Sequence, residues 1–272
     1  MEMKVTRFQQ WLPLTLVALA AAAMLVHGPI AQLDHYHEFA DTRSLFAIPN
    51  AADVLSNVGF ALAGLWGFWA LRSRGSALLT DPALRGYSLF FAALLLTSLG
   101  SSFYHLAPDN QRLLWDRLPI ALACAGLLAA VHAETRDPQQ PPWVPITLVA
   151  IAIASVFWWS VTESRGAGDL RPYLLLQGAP LVLVPLWQQL GKAPRASRIA
   201  FGIAIVLYAV AKAAEVADRT LFDALGFVSG HTLKHLLAVA AGAVIAASAV
   251  RQHRAPQRQH FDTFDPHSVA IR

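Results

Sequence analysis

The segment His231-Thr-Leu-Lys-His235 opens the last apolar stretch of the chain and sets two imidazoles four residues apart. On a helix, residues i and i+4 share one face, so both rings can reach a single ion. The same spacing holds zinc on metalloprotease helices, although alone it is a weak signal. A third ligand would complete a catalytic set that keeps an open position for water. His105, which closes Ser101-Ser-Phe-Tyr-His105, is the candidate. Three neutral imidazoles would leave the ion its full charge and bring the pKa of a bound water close to neutral. The remaining histidines are poorer candidates. His27, His35 and His37 lie at or beyond a helix end, His132 sits at the opposite end of its helix, and His253, His260 and His267 follow the last apolar stretch.

Two further groups share this neighbourhood. Ser101 precedes His105 by four residues, which points its hydroxyl to the same side one turn away. Asp116 follows His105 after Leu-Ala-Pro-Asp-Asn-Gln-Arg-Leu-Leu-Trp, a connection long enough to reverse direction and return the carboxylate to the same depth. A carboxylate there could orient a ligating histidine or take a proton from activated water. The plainer alternatives are a Ser101 bonded to a helix carbonyl or a neighbouring helix, and an Asp116–Arg117 pair capping an interfacial helix end.

The elements that must position these residues are membrane helices. Of 272 residues, 56% are hydrophobic and only 14% charged, and the mean hydropathy of +0.45 exceeds that of an ordinary soluble domain. The apolar residues come in blocks, and a bilayer core needs about 20 such residues per helix. Eight segments qualify: 12–28, 52–72, 86–107, 114–133, 143–160, 172–189, 199–217 and 231–250. The first follows Lys4 and Arg7 as a signal peptide would, but no small-residue cleavage site follows it at a polar boundary, so a retained helix is the preferred reading. The net charge of +4 does not indicate a nucleic-acid partner, because the basic residues lie between apolar blocks and not on one face. The single cysteine, Cys124, excludes an internal disulfide and a cysteine zinc site, and reads as a small packed residue.

Lys and Arg gather in the segments that are cytoplasmic when the N-terminus is inside, which places both termini in the cytoplasm. Asp53, Ser56 and Asn57 then share an outer level with Ser101, Ser102 and His105, with Asp116 and Arg117, with Gln177, with Lys212, Glu215 and Asp218, and with His231, Lys234 and His235. The inner halves read as nearly pure Ala, Leu, Val and Phe. Ionisable groups within spans are costly and mark function by default; interfacial residues facing headgroups are the alternative. Lys212 and Glu215 are i, i+3 neighbours that can pair, and Lys234 is expected to point away from the histidine face toward Glu215 or Asp218.

The ordered set Ser101, His105, Asp116, His231 and His235, together with Val54-Leu-Ser-Asn57 at the start of the first core helix, resembles the alkaline ceramidase family, part of the CREST superfamily of seven-helix membrane hydrolases and receptor-like proteins. The resemblance implies an all-α, polytopic membrane bundle: an N-terminal transmembrane helix and interfacial segment over 1–51, a seven-helix zinc hydrolase core over 52–250, and a basic cytoplasmic tail over 251–272. It implies Zn²⁺ held by His105, His231 and His235, and zinc-activated water attacking the amide of a ceramide-like lipid to give fatty acid and amine. Asp116 would be the general base, and Ser101 would bond the water or the oxyanion. In the family an acidic segment before the first core helix binds Ca²⁺. Here that segment offers Asp34, Glu38, Asp41 and Asn50 in a different spacing, which makes calcium doubtful; Asp41 and Arg43 could instead form a local ion pair.

A lipid amide and membrane lipids are the implied partners, in what reads as a bacterial inner membrane with the site near its outer face. Two other readings compete with the hydrolase. One is a receptor or sensor with structural zinc, a branch whose core is inserted the other way round. The other is a metal or proton transporter, which would need ionisable groups through both leaflets. The substrate and the oligomeric state are not legible from the sequence.

Overall fold

The computed structural model describes residues 7–254. Lys4, His260, His267 and most of the tail over 251–272 lie outside the described residues. The described residues are mostly helical, with short connections apart from the segment over 28–50, which holds an isolated bridge between Leu45 and Ile48. The helices are α1 (Arg7–His27), α2 (Ala51–Ser56), α3 (Val58–Leu71), α4 (Ala77–Thr80), α5 (Pro82–Leu106), α6 (Asn110–Thr135), α7 (Trp143–Ser164), α8 (Arg171–Leu190), α9 (Arg195–Val216), α10 (Asp218–Leu225) and α11 (Gly230–Arg254).

Each apolar segment expected to span a membrane is a helix. Six of the eight expected spans are long and apolar enough to cross one: Ala51–Arg74, α5, α6, α7, α9 and α11, while the apolar part of α1, Trp11–His27, is shorter and α8, over the expected span 172–189, is not among them. The chain is an all-α polytopic bundle of a multi-pass membrane protein. Large apolar side chains such as Leu62, Trp69, Ile146, Val182 and Val206 face outward, as they can where lipid replaces water. The span expected as one helix over 52–72 is two, because the turn breaks at Asn57, whose side chain donates to the Asp53 carbonyl at 2.8 Å. The short helix α10 lies between α9 and α11.

Local chemistry sets the helix starts. Asp81 caps α5 by accepting from the Ala83 and Leu84 amides, with Pro82 at the first helical position, and Asp109 caps α6 by accepting from Arg112 at 2.7 Å. Ser229 accepts from the Thr232 amide at 3.0 Å at the start of α11. Packing then divides the interior in two. Phe60, Leu84, Phe91, Phe201 and Ile245 join α3, α5, α9 and α11. Leu113, Leu128, Val156, Trp159 and Leu176 join α6, α7 and α8. Helices α5 and α6 share the most extensive interface and link the two halves.

Glycines permit two approaches that matter for the site. A Cβ on Gly100 would lie 2.0 Å from the Trp115 carbonyl, and one on Gly230 would lie 2.1 Å from that of Ala214. The first contact brings Asp116 against the Ser101 turn, and the second seats the start of α11 against the end of α9.

Candidate metal centre

The three histidines singled out by spacing converge. His105 comes from the last turn of α5, and His231 and His235 from the first two turns of α11. All three are buried, and their potential ligand atoms lie within 4.8 Å of one another. The ring centroids form a nearly equilateral triangle with sides of 4.9, 4.9 and 4.8 Å. The Nε2 atoms of His105 and His231 are 3.3 Å apart. A tetrahedral ion with bonds of about 2.0–2.1 Å to nitrogen has an edge of about 3.3–3.4 Å between its ligands, so this spacing fits a shared metal. An all-imidazole set suits zinc, copper, iron or nickel.

Hydrogen bonds support the same reading. The Ser56 hydroxyl donates to the Asp53 carbonyl at 2.9 Å and lies 2.8 Å from Nδ1 of His235. A hydroxyl has one proton, so toward the ring it accepts, and Nδ1 is the protonated nitrogen. That leaves the Nε2 lone pair of His235 free for the cluster, the arrangement that orients metal-bound histidines. Nδ1 of His105 is buried without a partner, a cost on the order of 1–3 kcal/mol for an unpaired polar group. Phe39 covers the cluster with ring centroids 4.7 Å from His105 and 4.3 Å from His231.

Ser101 and Asp116 stand beside the histidines. Both are buried, and both line one cavity of about 320 Å³. His235, Arg117, Lys212, Glu215 and Lys234 line it too, and its deeper wall is apolar, with Phe60, Phe90, Leu94 and Ile245.

Lys234 pairs with Glu215 as expected, at 3.1 Å, and Lys212 bonds the other Glu215 oxygen. It does not point away from the histidine face. Its Nζ lies 3.0 Å from Nε2 of His231, because three residues turn a helix by 300° and leave Lys234 only about 60° from His231. A metal would compete with this ammonium for the nitrogen, with Glu215 left as its partner. Asp218 instead accepts from the amides of His231 at 2.7 Å and Ala40 at 2.8 Å.

The segment between α1 and α2 closes this end of the bundle. Asn50 donates to the His105 carbonyl at 2.8 Å, His37 lies 2.9 Å from the Tyr104 hydroxyl, and Asp41 pairs with Arg43 through two contacts of 2.8 and 2.7 Å. The Arg43 guanidinium holds the Asp41 carboxyl below its usual range. Three of the four residues weighed for calcium are engaged separately: Glu38 with His35, Asp41 with Arg43, and Asn50 with the His105 carbonyl.

Sequence reasoning missed the roles of Phe39 and Ser56. Ser56 carried a signal in its position, because it lies three residues after Asp53 at the level of the histidines. Phe39 carried none, since an aromatic residue in a loop has many uses. The opposite end of the bundle is also less apolar than the hydropathy pattern indicates. Glu134 there accepts from Tyr87 at 3.1 Å and lies 2.8 Å from His253. No protein-family model, curated protein or solved structure matches the chain.

Proposed function

We propose that the chain is a zinc-dependent intramembrane hydrolase that cleaves the amide of a ceramide-like lipid into fatty acid and amine. The observation that carries this reading is the convergence of His105, His231 and His235 beside the Ser101–Asp116 pair, at the mouth of an apolar cavity. The resemblance of the same five residues to the alkaline ceramidase set supplies the reaction class. His105, His231 and His235 would hold the ion. When bound, zinc supplies Lewis acidity, which polarises a carbonyl and acidifies water.

The chain's own residues do the rest. Asp116 accepts the proton of the attacking water and passes it to the departing amine. Ser101 donates a hydrogen bond to the oxygen that gains charge as the acyl carbon becomes tetrahedral. Water adds across the C–N bond, leaving a carboxylate and a protonated amine. Phe39 covers the cluster and limits bulk water, and the apolar wall receives the acyl chain. The distribution of Lys and Arg supports an orientation with both termini cytoplasmic and the histidine end outward, in a bacterial inner membrane.

The test is a panel of lipid amides presented in detergent to the purified full-length chain, with mass-spectrometric detection of released fatty acid. The wild type is expected to cleave at least one member, and His105→Ala none. A wild type that cleaves no member, or a variant that cleaves as fast as the wild type, contradicts the reading.

A further inference from the structure

Arg117 is a buried cation with hydrogen-bonding capacity left unfilled. The residue is only 3% exposed, and its Nη1 is buried without an acceptor. The guanidinium is held over aromatic faces, 4.0 Å from the Trp159 ring centroid, 5.1 Å from Tyr36 and 5.5 Å from Tyr173. These rings stabilise a cation but offer its N–H groups no oxygen in their planes. Trp159 adds a second buried donor without an acceptor, its indole Nε1. A buried guanidinium without an oxygen partner is costly, and an incoming anion would remove that cost.

Arg117, Tyr36 and Tyr173 all line the cavity that Asp116 and Ser101 line. The charges on that wall do not balance. Lys212 and Lys234 share Glu215, and Asp116 is the other carboxylate that lines the cavity. Three cations therefore face two carboxylates. A ligand that enters with a negative charge corrects this excess, whereas an uncharged amide leaves it.

We propose that the cavity binds an amphiphile carrying a carboxylate, with Arg117 taking the carboxylate and the apolar wall around Phe90, Leu94 and Ile245 taking the acyl chain. The chemical class is an acyl chain ending in an acid, either a free fatty acid or a fatty acyl group conjugated to an amino acid. The inference rests on the proposed function only for the acyl-chain site; it requires neither the metal nor turnover.

Binding to the full chain in detergent, measured by ligand-induced change in melting temperature and by displacement of a fluorescent fatty acid, tests it. The probes are N-palmitoylglycine, palmitate and N-palmitoylethanolamine. The first and third differ only by a carboxylate in place of an uncharged hydroxymethyl. The wild type is expected to bind N-palmitoylglycine about tenfold or more tighter than N-palmitoylethanolamine, the scale of a charge-assisted hydrogen bond. Arg117→Met is expected to bring the two affinities together, and Arg117→Lys to keep part of the difference. Should Arg117→Met fold poorly, Arg117→Gln keeps donors but not the charge and is expected to lose the preference as well. Palmitate binding as tight as N-palmitoylglycine assigns the anion to a fatty acid; weaker palmitate binding assigns it to an amino-acid conjugate. Equal wild-type affinity for N-palmitoylglycine and N-palmitoylethanolamine overturns the proposal. So does a preference that survives loss of the Arg117 charge, since it would then belong to the histidine cluster. Zinc content measured on the same samples separates failure of the metal reading from failure of this one.

Discussion

The bundle carries histidines at both ends, half-buried at one and buried at the other, and the two sets are built differently. At the end formed by α4, the C-terminal part of α6 and the last turn of α11, each ring has a local partner. His132 Nδ1 lies 2.7 Å from the Gln140 side chain, and His253 Nε2 lies 2.8 Å from Glu134, which also accepts from Tyr87. At the other end, His105, His231 and His235 turn toward one another, with Nε2 atoms of two of them 3.3 Å apart. Hydrogen bonds complete the first set; an ion would complete the second. Convergence of its nitrogens is what marks a histidine as part of a site.

The largest separation between the two ends is expected in turnover. Asp116→Asn should lower lipid-amide hydrolysis by about 10²–10⁴-fold, the usual contribution of a general base. Glu134→Gln, the corresponding change at the far end, should leave the rate unaltered. Equal losses in both would reduce the difference between the ends to general stability.

Ser56→Ala comes next. Loss of the contact to Nδ1 of His235 should weaken zinc binding by about 10–100-fold, the cost of removing such an orienting partner, as read by chelator competition. Gly100→Ala probes the approach of α5 to α6. The added methyl has backbone within 2.0 Å, so the helices must separate, and a destabilisation of about 1–3 kcal/mol is expected in a denaturant or thermal melt, with zinc affinity falling alongside. An unchanged melt would mean that the approach does not hold Asp116 in place.

The smallest effect concerns the loop outside the spans. Asp169 accepts from Arg171, from the Trp158 indole and from the Ile30 amide. The Arg171 guanidinium, then the indole and the backbone amides, hold its carboxyl well below the usual carboxylate range against the opposing effect of burial. A lowered carboxyl contributes stability that is present above its unfolded value of about 3.9 and is lost as pH falls toward the folded value. The melting temperature should therefore drop below about pH 4, and Asp169→Asn should flatten that slope without changing zinc content.

Much of the fold was legible because hydropathy reports span by span. The eight apolar segments are all helices, with ends that differ by a few residues where caps such as Asp81 and Asp109 start a helix before the apolar run begins. The break at Asn57 was not legible, because Val58 continues the apolar pattern without a proline. The three histidines were legible from spacing and from a shared helix end. Lys234 was misread because its direction was taken from its polarity and not from its angle to His231. Arg117 read as an interfacial cap. Its burial depends on Trp159 and Tyr173, far along the chain, and no local pattern carries that information.

The central claim is that the three convergent histidines hold one metal ion and the far-end histidines hold none. Zinc counted per chain by mass spectrometry on purified wild type, His105→Ala and His253→Ala tests it most directly. The account predicts about one zinc in the wild type and in His253→Ala and almost none in His105→Ala. A wild type without zinc, or a His105→Ala variant that keeps it, would contradict the account.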